Sequence, residues 1–330
     1  TTPEDFQGWE ANERTLPNVK SLQWFIAHAN EFDRVVYQLG NSDYHNGMWS
    51  VMAQIPGVAA LHDLFQGDYL ASEQKRGFGQ MWPEILLYEH GYQALARAQA
   101  NHRDAVLDYA GNYRVFRDSL GVVLHSDFAR QLATAQVGNG VPLKSQTIGL
   151  IRQPGTTPTA EQRAQARQAL GLPAGGTLVC CFGYIGASKL PLRIIDAWRH
   201  SDLAHDPDAR FLFVGRNHPG EFGQTVTQAI ATLPNPAQIE ITGFVTAEDF
   251  THYLQAADFA VQLRTFSRGE TSGAVLHAMA HGLPQIVNAN GSFAELDEQA
   301  VWMLPDVFEA SALTDAINTL YRDTDKRHAM

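Results

Sequence analysis

Between residues 176 and 304 the chain carries six short apolar runs at regular intervals: "GTLVCCF" (176–182), "RFLFVG" (210–215), "QIEITG" (238–243), "DFAVQL" (258–263), "PQIVN" (284–288) and "AVWML" (300–304). Stretches with helical spacing lie between them, such as "PLRIIDAWRH" and "AEDFTHYLQAAD". Strands that are apolar throughout, instead of alternating, are buried on both faces, and strands alternating with helices pair in parallel. The pattern therefore predicts a doubly wound α/β domain.

The first half repeats the pattern less completely. "DRVVYQLG" (33–40), "GVAALHD" (57–63) and "GVVLHS" (121–126) read as strand-then-loop units, with Ser126 placed to cap the next helix. A further helix is expected around "EILLYEHGYQALARAQ". Three or four strands are legible, against about six in a full Rossmann domain. No first strand with a glycine-rich loop is legible before residue 33, and "DTDKRHAM" ends the sequence without a last crossing helix. The expectation is an incomplete first domain, in a fragment or a short member of its class. Thr159 with Gln162 opens a capped helix that stops at Gly171–Pro173, and Thr246 with Asp249 opens another. The boundary is placed near residue 155, giving domains 1–155 and 156–330.

A formal net charge of −11 argues against broad nucleic-acid binding and against a polybasic membrane surface. Cys180 and Cys181 are adjacent on a strand, point to opposite faces and cannot form a structural disulfide. No apolar run approaches the ~18 residues of a membrane span, and "TTPEDFQGWE" does not read as a signal peptide. The expectation is a soluble cytoplasmic protein. "VKSLQWFIAHA" (19–29) has the spacing of an amphipathic helix, which packs on a sheet or touches a membrane surface.

In open α/β sheets ligands bind beyond the carboxyl ends of the strands, so the loops that follow strands carry the candidates. "GYIGASK" places Gly183, Gly186 and Lys189 ahead of a helix, a diphosphate cradle or an ordinary turn with a surface lysine. Arg216 in "GRNHPG" offers a guanidinium fork to a phosphate or simply a solvated loop cation. Gly243 and Phe244 offer backbone to a base edge, or Phe244 belongs to the core. In "GETSGAVLHAMAHGLPQ" (269–285), Thr271, Ser272 and Gly273 form a helix mouth whose N–H groups suit an anion. Glu270 beside them either complements the helix dipole or bonds hydroxyl groups of the same ligand. His62 after "GVAAL" is an acid/base candidate or a structural histidine, and the same holds for His125. The D-x-D pairs Asp206/Asp208 and Asp323/Asp325 lie away from the ligand edge and read as solvated loops, so no metal is expected.

Together, "FGYIGASK", "FLFVGR", "ITGFVTAEDFTHYLQAAD", "LRTFSRGETSGAVLHAMAHGLP" and "VNANGSFAEL" resemble the retaining GT-B glycosyltransferases of the group 1, family 4 type. "YQLGNSDYH", "VAALHDLF" and "VVLHSDFARQL" resemble the bacterial polysaccharide-type members. The resemblance implies two Rossmann-like domains and a nucleotide-diphosphate-sugar donor, with no cofactor and no metal. The acceptor would be a glycan, lipid-linked or small molecule, at the inner face of the membrane in some members. It implies that Lys189 contacts the diphosphate, backbone near Gly243–Phe244 the base, Glu270 the donor sugar, and that His62 approaches that sugar. The family often has E-x7-E, whose second glutamate holds ribose hydroxyls; here His277 takes that place at a spacing one shorter, and Tyr184 stands where an arginine is common. These departures keep open a non-catalytic nucleotide-sugar-binding module and a GT-B-type epimerase.

Overall fold

The computed structural model describes residues 20–42, 45, 47–75, 81–137, 143–153 and 155–330. The sequence readings of residues 1–19, of Asp43 and Tyr44 in "GNSDYH", and of Pro154 at the join lie outside the described residues. The chain forms two compact units, residues 1–150 with 268–271, and residues 151–267 with 272–330. Each is an α/β unit around its own parallel sheet.

The first unit holds β1 (Val36–Leu39), β2 (Val58–Leu61), β3 (Gly121–Leu124) and β4 (Ser145–Thr147), paired in that order and all parallel. The polar, three-residue edge strand "SQT" carries no apolar run and was not legible in the sequence. Ser126 caps helix Asp127–Val137 by accepting from Ala129 N–H at 3.1 Å. Helix Leu22–His28, from the amphipathic stretch, sets Leu22 and Phe25 against the first core and leaves Ile26 exposed. No helix among the described residues is long and apolar enough to cross a membrane.

The second unit holds β5 (Leu178–Phe182), β6 (Arg210–Val214), β7 (Ile239–Ile241), β8 (Phe259–Gln262), β9 (Gln285–Asn288) and β10 (Trp302–Leu304). Their order across the sheet is β10-β9-β8-β5-β6-β7, all parallel, which is the Rossmann winding. All six apolar runs became strands. β5 is buried at every position because helices cover both faces. Cys180 packs in one core layer with Phe182 and Leu254, Cys181 in the opposite layer with Val179 and Phe211. Burial raises the pKa of both thiols.

The order reverses between β5 and β8, and a partly buried ion network fixes the amino ends of these two strands. Asp258, just before β8, accepts from Leu178 N–H (2.8 Å) at the start of β5, and its own N–H donates to Leu178 O (2.8 Å). Arg167 donates to the same carboxylate at 2.9 Å and to the carbonyls of Ala256, Gly175 and Gly176. Arg163 bonds the other carboxylate oxygen at 3.0 Å. Both arginines sit on helix Ala160–Ala169, whose Thr159/Gln162 capping box forms as the sequence implies. Arg167→Met would remove one of the two charged donors to Asp258 and leave several carbonyls without their donor, and leaving such acceptors unsatisfied costs about 1–3 kcal/mol. Chemical denaturation measures this, and a loss under about 1 kcal/mol, the range of a surface pair, would refute the anchoring role.

Candidate functional site

In a Rossmann sheet the crevice for ligands opens at the carboxyl ends of the two strands flanking the reversal. Here those are the loops after β5 and β8, and they are joined directly: Thr265 N–H donates to Ser188 O at 2.8 Å. Among the described residues only two non-glycine residues have positive φ, Leu190 (53°) and Phe266 (60°), one in each loop. Such backbone costs on the order of 1–3 kcal/mol per residue and gathers where surroundings hold a site in place. The surroundings are visible. Asn288, at the end of β9, clamps Arg264 from both sides, accepting from its N–H (2.7 Å) and donating to its carbonyl (2.8 Å). Asn290 accepts from Ser267 N–H at 3.1 Å and is itself held by Asp306. The "NAN" of the sequence is thus a brace for the loop after β8.

Lys189 ends the turn Ala187–Lys189 and folds back so that Nζ donates to Phe182 O, at the end of β5. A Cβ on Gly183 (φ 94°) would lie 2.5 Å from that Nζ, so glycine is required there for space as well as for conformation. Burial lowers the Lys189 pKa to about 8; the Cys181 thiol opposes the fall and Arg264 adds to it. A cation buried against a carbonyl and near a second cation is under-compensated, which is the electrostatic condition for receiving an anion. Gly186 precedes the turn and accepts from Lys189 N–H at 3.0 Å.

Helix Gly273–Ala280 begins with Ser272, whose side chain accepts from Val275 N–H. A Cβ on Gly273 would meet the Arg152 guanidinium at 2.9 Å, so this arginine lies across the helix mouth. Arg152 Nε is buried with no hydrogen-bond partner among the described residues. The His277 pKa is lowered by burial, by Arg152 and by His281, and its ring meets Phe250 edge-on at 5.9 Å. Arg152 and Arg264 are the site residues the sequence reading missed. Arg152 lies in the join, outside any strand-following loop, and Arg264 passed as the tail of a strand.

Elsewhere in this unit, Arg216 is exposed and stacks over the Phe244 ring at 4.8 Å instead of reaching toward Lys189. Phe244 is 74% exposed, so it is not core, and Gly243 beside it borders open space. The exposed Tyr184 ring lies 6.2 Å from that of His218. One aspartate of each D-x-D pair has structural work: Asp206 accepts from Tyr321 Oη (2.9 Å), and Asp323 caps helix Thr324–Ala329.

The remaining candidates belong to the first unit. His62 follows β2 and donates from Nε2 to Gln38 Oε1 at 2.6 Å, stacked 4.9 Å from the His125 ring. His125 donates from Nδ1 to Ile148 O at 2.9 Å. Glu270 lies in the segment 268–271, where its Oε2 accepts from Arg268 N–H at 2.7 Å. Thr271 Oγ1 in the same segment is buried without a hydrogen-bond partner among the described residues.

Two Rossmann-like units of this kind define the GT-B architecture of glycosyltransferases. Residues 162–330, just over half of the chain, match the model of the glycosyl transferases group 1, and the protein belongs to that family. It is accordingly a glycosyltransferase. No curated protein matches the chain. Among solved structures it is similar to Anabaena Alr3699/HepE in complex with UDP, with 21% identity, a TM-score of 0.64, and 93% of this chain and 74% of that one covered. WaaG, a glycosyltransferase involved in lipopolysaccharide biosynthesis, matches with 17% identity and a TM-score of 0.58 over 94% of this chain and 78% of its own. Sucrose-phosphate synthase from Thermosynechococcus elongatus matches with 18% identity and a TM-score of 0.59 over 93% and 69%. At these identities the likeness is one of fold.

The buried Lys189 has a measurable signature without any ligand. An unfolded lysine keeps its proton to about pH 10.4, whereas the folded one releases it near pH 8. Between these values the unfolded chain binds more protons, so Lys189 adds stability as pH rises through that window. Denaturation at pH 7.5 and at pH 10 should show the wild type gaining relative to Lys189→Met. Parallel behaviour of the two proteins would refute the burial of the charge.

Proposed function

We propose that this glycosyltransferase moves a sugar from a UDP-sugar donor to a glycan, lipid-linked or small-molecule acceptor, with retention of configuration, as in family 4 enzymes, and without a metal. The carrying observation is the under-compensated Lys189 beneath Gly183, at the strand-order reversal where Rossmann sheets hold their ligands. Support for the donor class comes from the HepE structures, which hold UDP, UDP with glucose, and UDP-glucose. HepE and WaaG belong to the same architecture, and WaaG's part in lipopolysaccharide synthesis points to surface-polysaccharide assembly for this chain as well.

In this reading the diphosphate lies over Gly183 and Gly186, and its charge is met by Lys189, by Arg264 and by the helix mouth at Ser272–Gly273 with Arg152. A negative ligand keeps the Lys189 proton in place, so affinity falls once the pH passes about 8. Gly243, Phe244 and the stacked Arg216 form the base end. As the bond to the sugar breaks, the sugar gains oxocarbenium character and the diphosphate gains charge. Fixed cations and N–H groups stabilise that charge without reorganising, and one such donor can be worth about 10²–10³ in rate. Glu270 and the N–H groups at Thr271 orient the donor sugar, and His62 has the family role of a histidine that contacts that sugar. The acceptor attacks from the face the diphosphate leaves, so no pair of carboxylates flanking the bond is needed, unlike in glycosidases.

The test is a panel of UDP-sugars, scored for binding by thermal shift and for products with and without glycan acceptors. UDP should stabilise the wild type and do so at least tenfold more weakly with Lys189→Met. Glu270→Gln should keep UDP binding and lose about 10²-fold in transfer. Full transfer by Glu270→Gln would overturn its role. Binding without turnover would favour a scaffold, and donor isomerisation without acceptor an epimerase.

A further inference from the structure

The first unit contains a cavity that shares no residue with the site above. Its volume is about 410 Å³, and its lining includes Tyr88, Glu89, His90, Asn112, Tyr113 and Gln136. That is within the size range of small-molecule sites. Glu89 is the anomaly in it. Its side chain is 4% exposed, and Oε1 has no hydrogen-bond partner among the described residues. Backbone N–H groups of Asn112, Tyr113 and Arg114 bond the carboxylate, yet burial outweighs them and raises the pKa to about 7.

The local backbone makes the placement costlier. Helix Met81–Ala100 is broken at Gly91 (φ 75°, ψ −171°), a conformation open to glycine and almost nothing else. The break leaves Glu89 and His90 in the last turn of the helix's first half, where the dipole disfavours a carboxylate. His90 Nε2 is also buried without a hydrogen-bond partner among the described residues, and lies 3.8 Å from Glu89 Oε2. Desolvation, dipole and an orphaned oxygen all oppose the folded state here, and no core packing requires an acid at this position. Buried polar atoms of this kind are usually completed by water, a ligand or a neighbouring group, and here the orphaned oxygen belongs to a residue that lines a cavity.

The lining specifies what would complete it. A carboxyl group bonds adjacent hydroxyls on a ring in either protonation state, accepting from both when ionised and donating one bond when protonated. The rings of Tyr88 and Tyr113 lie 5.9 Å apart, with Tyr88 62% exposed. Flat aromatic faces suit the C–H side of a sugar ring, and Gln136 supplies a further planar donor and acceptor, while the Asn112 amide N–H donates to Leu64 O at 2.7 Å. Arg117 near Tyr88 is neutralised by a bidentate pair with Asp118, while the positive charge of Arg114 acts on Glu89 and disfavours an ammonium ligand beside it. We propose that this cavity binds a sugar ring of a neutral glycan, with Glu89 bonding adjacent hydroxyls and the two tyrosines covering the ring's apolar face.

The test uses the full chain on an array of neutral and amino-sugar oligosaccharides, with retained compounds titrated calorimetrically. The wild type should retain at least one neutral oligosaccharide. Tyr88→Ala, which truncates an exposed ring, should weaken that binding at least tenfold, and Glu89→Ala should do the same. UDP binding is measured in parallel as a sign of an intact fold; if Glu89→Ala fails that control, Tyr88→Ala decides. No retained neutral oligosaccharide, retention of amino sugars alone, or unchanged binding by Tyr88→Ala would each overturn the proposal. The UDP result separates these outcomes from a failure of the donor reading.

Discussion

The second unit depends on one carboxylate. Asp258 stands immediately before β8 and bonds backbone at the start of β5, while Arg167 and Arg163 hold it from the helix that precedes the sheet. Parallel neighbours that are distant in sequence have no hairpin to set their register. β5 and β8 are separated by two strands and their helices, so side-chain chemistry has to fix where they begin. A rise of about 3.3 Å per residue then carries that register to the other end of both strands. The loops of the candidate site emerge there, and their spacing follows from where the strands start.

What those loops do with that placement is electrostatic. The apolar layers on both faces of β5 provide the low-polarity surroundings that depress the Lys189 pKa. The same residues therefore serve as core for the sheet and as the medium that makes a cation avid for a counter-charge. Strain at Leu190 and Phe266 is tolerated because Asn288, Asn290 and the Thr265–Ser188 bond remove the alternatives.

The sequence made much of this legible, for reasons that differ by residue. β5, β6 and β8 were readable because strands buried on two faces are apolar throughout. The caps at Thr159, Thr246 and Ser126 were readable because capping is a local interaction spanning three residues. Gly183 and Lys189 were readable as a pair because both follow one strand, although their direct contact was not. β4 was not readable, since a three-residue edge strand needs no apolar signature. Arg152, Arg264 and Glu89 also escaped. Their significance comes from what the fold places beside them, and a charged letter in a sequence looks the same whether it is solvated or enclosed. The left-handed backbone of Leu190 and Phe266 has no sequence signature at all.

The two adjacent cysteines have a use of their own. Both thiols are buried, in core layers on opposite faces of the same strand. A reagent reaches Cys180 only when one covering layer of helices lifts, and Cys181 only when the other does. Rates of thiol labelling at two neighbouring positions thus become separate clocks for the two sides of one sheet, built into the natural sequence without any added probe.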